Sequence, residues 1–205
     1  MIKNIVFDIG GVLVDFHPIK TLMDMGLSQE QAEELNQKAF APIWDELDRG
    51  VMNREDVFAQ MIKNTPVNMK KTAEQFLTNE IFKTVTSRQY SADWLKSLKK
   101  SSYKIYLLTN YPDFMFEYHW KNTFSFSDSV DGKIVSGIEK VMKPDHRIYE
   151  RLLEEYGLVP SESLFIDDRE ENVTAAQQTG ISAIRFTAFE EVNSLMQKKF
   201  KISVF

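Results

Sequence analysis

The 205-residue chain contains no cysteine, which excludes disulfide frameworks, zinc sites built on thiolates and cysteine nucleophiles. Glycine and proline are also scarce, with eight and six residues. Such a low content argues against collagen-like repeats, disorder and a turn-rich all-β sandwich. The hydrophobic fraction of 43% is instead typical of globular domains, and the length corresponds to one or two of them.

Long hydrophobic runs are absent as well. The most apolar stretch, residues 5–14, is shorter than the roughly 20 residues that a membrane-spanning helix needs, and it lacks a signal-peptide cleavage pattern. The net charge of −5 provides no basic excess with which to bind the phosphates of a nucleic acid. We therefore expect a soluble, cytoplasmic protein with neither a membrane nor a nucleic acid as a partner. Its oligomeric state does not follow from the sequence.

Short apolar runs predict the strands of a sheet. The predicted strands are residues 2–7, 104–108, 164–166 and 183–186, with a weaker candidate at residues 133–135. Helical patterns separate the later runs: one over residues 145–156 ends at Gly157, and one over residues 172–179 ends at Gly180. Strands that alternate with helices predict βαβ units, and hence an α/β fold with a mostly parallel sheet flanked by helices.

The gap between the first two predicted strands is much longer than a crossover connection requires. Its sequence indicates helices, the clearest sign being a capping box formed by Ser28 and Gln31. We therefore predict an α/β core made of residues 1–15 and 88–205, and an α-helical insertion made of residues 16–87.

Polar residues follow the predicted strands, at the edge where ligands bind in an open parallel sheet. These residues are Asp8, Thr109, Asn110, Asp167 and Asp168, together with Lys143 in the loop after the weakest strand. Carboxylate oxygens suit Mg²⁺, and hydroxyl, amide and ammonium groups donate to phosphoryl oxygens. Once the phosphate charge is neutralised, Asp8 can attack phosphorus as a nucleophile. The set therefore suits a phosphate ester and a hard cation.

Four segments resemble the motifs of the haloacid dehalogenase-like hydrolase superfamily, in the same order and at similar spacing. They are IVFDIGGVLVD, LLTN, KPD and FIDDREENVTAAQQTGI. The resemblance spans nearly the whole chain and is strongest to capped sugar-phosphate phosphatases whose first motif ends in Gly-Gly-Val. It implies a Rossmann-like core with a helical cap after the first strand. It also implies Mg²⁺-dependent hydrolysis of a small phosphorylated metabolite through an aspartyl-phosphate.

The resemblance also implies roles for individual residues in catalysis and phosphate binding. Asp8 would be the nucleophile, and Lys143 would bridge this carboxylate and the phosphate. Thr109 and Asn110 would bind the phosphoryl group that is transferred.

A second set of roles concerns the metal. By the same resemblance, Mg²⁺ would be held by Asp8, Asp168 and the backbone carbonyl of residue 10, which Gly10 retains. Asp167 and Asn172 would support Asp168 through contacts outside the set of metal ligands.

Gly10 departs from the superfamily pattern. Most of its phosphatases carry a second aspartate there, which serves as general acid and then as general base. Such catalysis contributes roughly 10²–10⁴-fold to the rate. Either Asp15 or His17, the nearest candidates in sequence, takes this role, or the leaving group needs little help, as with a sugar 1-phosphate.

Two other functions stay open. One is a 2-haloacid dehalogenase, in which the same aspartate attacks carbon without a metal; the pair Asp167 and Asp168 argues against it. The other is a catalytically degenerate member that binds a phosphometabolite or a protein. In the insertion, Trp44 and Arg49 resemble the segment that caps of this superfamily direct toward the active site, although a structural role for the tryptophan is equally open.

Overall fold

The structure, a computed structural model, describes residues 1–202 and is built around a five-stranded parallel sheet. The strands in the described residues are β1 (Asn4–Phe7), β2 (Val14–Phe16), β3 (Val85–Ser87), β4 (Lys104–Thr109), β5 (Gly132–Val135), β6 (Ser163–Asp167) and β7 (Ser182–Arg185). The sheet has the order β5-β4-β1-β6-β7, and every neighbouring pair is parallel. The predicted α/β fold class is confirmed, and all five predicted strands are present.

The central strand β1 is buried along its whole length. A continuous apolar run is typical of a parallel strand that helices cover on both faces. Ile5 and Phe7 belong to one hydrophobic cluster and Val6 to another, as expected when successive side chains point to opposite faces. The register aligns Phe7 with Leu107 of β4 and with Ile166 of β6. The residues that follow these three strands therefore meet at one edge of the sheet.

Helices make up most of the rest of the described chain. They are α1 (Pro18–Asp24), α2 (Gln29–Leu35), α3 (Ala41–Arg49), α4 (Arg54–Asn64), α5 (Lys70–Gln75), α6 (Ser91–Lys100), α7 (Asp113–Asn122), α8 (Ser136–Glu139), α9 (His146–Tyr156), α10 (Glu170–Gln178) and α11 (Phe189–Phe200). Two π-helical turns, Asn36–Phe40 and Phe76–Glu80, extend α2 and α5. Single 3₁₀ turns are Val67–Met69, Ile81–Thr84, Ser127–Ser129 and Pro160–Glu162.

The ends of α9 and α10 show how the sequence sets helix limits. Asp145 caps α9 by accepting a hydrogen bond from Arg147 N at 3.0 Å, and the helix ends at Gly157, whose φ is +60°. Helix α10 begins two residues before the predicted start. The reason is that the Asp167 carboxylate accepts a hydrogen bond from Arg169 N at 2.8 Å, which turns the chain into the helix early.

The segment between β2 and β3 is helical and contains α1 to α5. The two strands form an antiparallel ribbon that pairs Val14 with Ser87 and Phe16 with Val85. The ribbon therefore places the beginning and the end of the insertion side by side. The predicted capping box is present at the start of α2. The predicted division at residues 15/16 and 87/88 falls inside and just after the ribbon, and the cap assignment stays a prediction.

The insertion packs on the sheet through one continuous hydrophobic cluster. Phe40 and Phe76 stack within the insertion, with ring centroids 5.0 Å apart. Phe7 of β1 meets Trp94 of α6 edge to face at 4.8 Å. Burial of each such side chain contributes about 1.5–3 kcal/mol.

None of the helices in residues 1–202 reaches the length and hydropathy of a membrane-spanning segment.

Candidate active site

A cavity of about 440 Å³ opens at the carboxyl end of the sheet. Five of the six predicted site residues line it: Asp8, Gly10, Asn110, Lys143 and Asp168. The sixth, Thr109, is the last residue of β4 and is fully buried next to Asn110. The insertion and the ribbon supply further side chains to the wall, among them Phe16, Trp44 and Asp48.

A buried lysine in the lining of the cavity connects two carboxylates. Lys143 is only 1% exposed, and its Nζ lies 2.9 Å from Asp8 Oδ1 and 2.6 Å from Asp167 Oδ2. A buried ammonium requires such partners, because it has lost its hydration. Two carboxylates face one lysine, so the group carries a net negative charge.

This excess of negative charge is reflected in the pKa values. Burial raises the pKa of Asp8 to about 7; Lys143 lowers it, while Asp167 and Asp168 raise it further. Burial lowers the pKa of Lys143, but the charges of Asp167 and Asp8 outweigh this and raise that pKa above its usual value. The lysine is therefore charged, and a further cation beside Asp8 would favour its carboxylate form.

Asp167 is fully buried and its oxygens are saturated with donors. They accept hydrogen bonds from Lys143 Nζ at 2.6 Å, from Arg169 N at 2.8 Å, and from Asn172 Nδ2 at 3.0 and 3.1 Å. A carboxylate held in this way fixes the position of the lysine. The arrangement fits the supporting role that the sequence predicts for Asp167 and Asn172.

The donor set suits a divalent cation. Asp8, Asp167 and Asp168 each offer a carboxylate oxygen, and these atoms all lie within 4.8 Å of one another. Asp167 is occupied by its donors, whereas Asp168 is only partly buried and makes no ion pair within the described residues. Burial and the charge of Asp167 raise the pKa of Asp168. Oxygen ligands of like charge at this spacing are what Mg²⁺ requires, and Asp8 and Asp168 are the two that remain available.

The two glycines of the first motif have different surroundings. A Cβ on Gly11 would lie 2.5 Å from Asp168 Oδ2, and its φ of +68° also favours glycine. A Cβ on Gly10 would meet nothing within 4 Å. Gly11 is therefore required by the close approach of Asp168, whereas Gly10 leaves open space in the cavity.

The residues at the end of β4 differ in their contacts. Thr109 Oγ1 is buried and has no hydrogen-bond partner in the described residues, a costly state that a bound ligand atom would relieve. The Asn110 side chain donates to Lys143 O at 2.9 Å and accepts from Lys143 N at 2.8 Å. Asn110 therefore positions the lysine loop, and phosphate binding by its side chain stays a prediction.

Of the remaining candidates from the sequence, some line the cavity and others do not. Asp15 lines the cavity, but its Oδ1 lies 2.8 Å from the Arg88 guanidinium. His17 precedes α1 and does not line the cavity. Trp44 contributes to the wall, whereas Arg49 is exposed and lies 3.8 Å from Glu46.

Asp48 is the functional candidate that sequence reasoning missed. It lines the cavity one helical turn after Trp44 on α3. Burial raises the pKa of Asp48 to about 7, with the charges of Asp45 and Asp8 acting in the same direction. A hydrogen bond from the Trp44 side chain and the charge of Lys143 lower it. The spacing of Trp44 and Asp48 by four residues places them on one helix face and was the available signal.

Comparison with known proteins agrees with this geometry. A family model described as haloacid dehalogenase-like hydrolase matches residues 2–180. The chain belongs to this family. The superfamily predicted from the four motifs is thereby confirmed, and this hydrolase has the core expected of it.

Two curated relatives of this hydrolase are named as phosphatases. It is 28% identical over 191 residues to a sesquiterpene phosphatase of Aspergillus oryzae, a match that covers 90% of each chain. It is 28% identical over 195 residues to a D-ribitol-5-phosphate phosphatase of Bacteroides thetaiotaomicron, covering 90% of this chain and 92% of the other.

A similar solved structure contains magnesium. A haloacid dehalogenase-like enzyme of Bacteroides thetaiotaomicron, crystallised with magnesium and inorganic phosphate, is 26% identical to this chain with a TM-score of 0.72. The match covers 95% of this hydrolase and 99% of that enzyme. The predicted Mg²⁺ cofactor is supported by this neighbour and by the carboxylate cluster.

Proposed function

We propose that this hydrolase is a Mg²⁺-dependent phosphatase that acts on a small phosphorylated metabolite through an aspartyl-phosphate on Asp8. The observation that carries the proposal is the buried contact of 2.9 Å between Lys143 Nζ and Asp8 Oδ1, two residues that line one cavity. Two relatives named as phosphatases support the reaction class.

Each residue of the site has a separate role in such a reaction. Lys143 orients the Asp8 carboxylate and offers positive charge to the phosphoryl oxygens. The unpartnered hydroxyl of Thr109 would donate a hydrogen bond to one of these oxygens. Asp8 would then attack phosphorus, and water would later hydrolyse the acyl phosphate. Mg²⁺, held by Asp8, Asp168 and the Gly10 carbonyl, would neutralise the phosphate charge.

A sugar phosphate is the substrate class that we propose. A cavity of about 440 Å³ is of the size that holds a small metabolite. Arg88 and Asp15 in its lining offer hydrogen bonds to hydroxyl groups, while Trp44 and Met115 supply flat and apolar surface. The D-ribitol-5-phosphate phosphatase among the relatives supports this class.

The insertion, residues 16–87, would act as the cap of this enzyme. Phe16 and Trp44, whose ring centroids are 5.1 Å apart, contribute to the same cavity as Asp8. Movement about the β2–β3 ribbon would admit substrate, and closure would exclude bulk water.

We also propose that the enzyme is cytoplasmic, as expected from the sequence.

The test is a panel of phosphorylated metabolites assayed with and without Mg²⁺, beside Asp8→Asn and a surface control, Asp128→Asn. We expect Mg²⁺-dependent phosphate release by the wild type and the control, and none by Asp8→Asn. Hydrolysis of 2-haloacids that survives EDTA would identify a dehalogenase instead. Tight binding of a phosphometabolite without turnover under any metal would identify a non-catalytic member.

A further inference from the structure

Asp48 lines the same cavity as Gly10, the position at which the superfamily pattern loses a carboxylate. We propose that Asp48, on α3 of the insertion, is the general acid and then the general base of the reaction. This inference rests on the proposed phosphatase function. It assigns to the insertion a catalytic residue in addition to its role in covering the site.

The position of Asp48 is the first argument. Its side chain and that of Asp8 line the same cavity, Asp8 from the end of β1 and Asp48 from the insertion. The nucleophile attacks phosphorus on the side opposite the leaving oxygen, so a proton donor must approach from the substrate side. Gly10, which occupies the usual place of that donor, has no side chain and open space around it.

The attachment of α3 to the sheet is the second argument. Ser136 at the start of α8 donates a hydrogen bond from its hydroxyl to the backbone carbonyl of Asp48. The same hydroxyl accepts a hydrogen bond from Tyr111 N at 2.9 Å, two residues after Thr109. One serine thus connects the backbone at Asp48 with the strand end that carries the phosphate-binding threonine. Catalytic groups require this kind of fixed placement.

A close backbone contact strengthens this attachment. Gly50, which ends α3 with a φ of +65°, lies so near to Gly137 that a Cβ on Gly50 would be 2.3 Å from Gly137 O. The end of α3 therefore contacts α8 directly. Together with the Ser136 hydrogen bond, this contact fixes the backbone at Asp48 relative to the core.

The other candidates are less suited to the role. Asp15 Oδ1 accepts a hydrogen bond from Arg88 Nε at 2.9 Å and lies 2.8 Å from a second guanidinium nitrogen, so this carboxylate is already paired with a cation. His17 does not line the cavity. Asp168 is one of the two carboxylates available for Mg²⁺. Asp48 is the carboxyl group on the insertion side that remains for proton transfer within the described residues.

The chemistry balances with one carboxyl group used twice. As an Asp8 oxygen forms a bond to phosphorus, the bond from phosphorus to the ester oxygen breaks. The ester oxygen takes the Asp48 proton and leaves as an alcohol. Water then attacks the phosphorus of the aspartyl-phosphate and gives a proton to the Asp48 carboxylate. The bond from phosphorus to Asp8 breaks, which releases inorganic phosphate and restores both side chains.

The surroundings of Asp48 support a proton that is held and released near neutral pH. The charged or titratable groups that face it are Asp45 on its own helix, Asp8 after β1, Lys143 after α8 and Tyr111 after β4. Burial and the two aspartates raise the pKa of Asp48 to about 7, near the value that suits a general acid.

The experiment compares two phosphate esters, nitrophenyl phosphate and an alkyl sugar phosphate, in the wild type and in Asp48→Asn. The nitrophenolate leaves without a proton, whereas the sugar alkoxide requires one. We expect kcat/KM for the sugar phosphate to fall by about 10²–10⁴-fold and kcat/KM for nitrophenyl phosphate to change little. Nitrophenol should appear in a burst, because the base that assists hydrolysis of the aspartyl-phosphate is also lost.

Asp128→Asn, an exposed substitution outside the cavity, is the control and should leave both esters unaffected. Asp48→Glu should restore part of the sugar phosphate activity, since it restores a carboxyl group. An equal loss for both esters, or no loss for either, would overturn the role of Asp48 while leaving the phosphatase function intact. Absence of wild-type turnover on any phosphate ester would refute the phosphatase function itself, and the role of Asp48 with it.

Discussion

Lys143 and Asp8 form an ion pair of 2.9 Å that is shielded from solvent, with the two residues 1% and 7% exposed. Asp167, 2.6 Å from the same ammonium, holds the lysine from the other side. The contact brings together two residues that are far apart in the sequence, one after β1 and one after α8. We therefore expect the stability of this hydrolase and its proposed activity to depend on the same buried charges.

Removal of the lysine should damage both properties. In Lys143→Met two buried carboxylates lose their counter-charge, and breaking a buried ion pair on one side costs about 3–5 kcal/mol. We expect a loss of this order in denaturant unfolding at pH 8, a smaller loss at pH 5 where a carboxylate can be protonated, and no turnover. Lys121→Met, on the exposed side of α7, should change stability by less than about 0.5 kcal/mol. Equal losses at the two pH values would contradict the electrostatic explanation.

Substitution of Asp8, the proposed nucleophile, should stabilise the metal-free protein. The folded state raises the pKa of Asp8 from 3.8 to about 7, so it holds this proton more tightly than the unfolded chain. The contribution of Asp8 to stability is therefore present below pH 4 and is lost as the pH rises toward 7. One pKa unit is about 1.4 kcal/mol, which gives an upper bound of roughly 4 kcal/mol.

Asp8→Asn removes that dependence and should unfold at a higher temperature than the wild type at pH 8 in EDTA. Thermal unfolding of both proteins between pH 4 and pH 8 checks this expectation, with Asp128→Asn as the control. Saturating Mg²⁺ should reduce the difference, because the cation compensates the Asp8 charge in the wild type. A less stable Asp8→Asn at pH 8 would show that the carboxylate is not under electrostatic strain.

The sheet and most of the site were predictable from the sequence for a simple physical reason. Buried parallel strands are continuous apolar runs, and their carboxyl ends meet at one edge, so Asp8, Thr109 and Asp168 are predictable from the runs that they end or follow. The β2–β3 ribbon was not found. Each of its strands has three residues, and the pairing of Val14 with Ser87 arises from tertiary packing rather than from a local pattern.

The position of Asp48 in the cavity was not predictable from the sequence. The spacing from Trp44 predicts a shared helix face, but the direction of that face depends on contacts with another part of the chain. Ser136 binds the backbone carbonyl of Asp48, and Gly50 rests on Gly137. These contacts link α3 with residues nearly 90 positions away in the sequence, and no local pattern predicts them.

The two glycines of the first motif should respond differently to the same substitution. In Gly11→Ala the new methyl group would lie 2.5 Å from Asp168 Oδ2 and the φ of +68° would be strained, so Mg²⁺ affinity should fall sharply. In Gly10→Ala nothing lies within 4 Å of the methyl group, so Mg²⁺ affinity should be nearly unchanged. Calorimetric titration with Mg²⁺ distinguishes the two variants. Similar affinities would argue against the closeness of Gly11 and Asp168.

Asp168 itself should govern metal affinity rather than the chemical step. Asp168→Asn keeps the shape of the side chain and removes one anionic ligand, so the Mg²⁺ concentration for half-maximal rate should rise at least tenfold. High Mg²⁺ should restore part of the rate, which it cannot do for Asp8→Asn. An unchanged Mg²⁺ dependence in Asp168→Asn would refute this metal assignment.

The open space at Gly10 allows a rescue experiment. If Asp48 supplies the proton, the wild type should depend only weakly on the pKa of the leaving group, and Asp48→Asn should depend on it steeply. Adding Gly10→Asp to Asp48→Asn places a carboxyl group at the usual superfamily position and should make the dependence weaker again. Rates for a series of aryl and alkyl phosphates measure both slopes. A steep dependence in the wild type would mean that no group donates the proton.

The central claim is that Asp8 becomes phosphorylated during turnover. The direct measurement is acid quenching of the enzyme within the first turnover of a phosphate ester carrying radioactive phosphorus, followed by identification of the labelled peptide. We expect a label that hydroxylamine releases, located on the peptide containing Asp8 and absent from Asp8→Asn. Continued turnover by Asp8→Asn, or wild-type turnover that never labels this peptide, would contradict it.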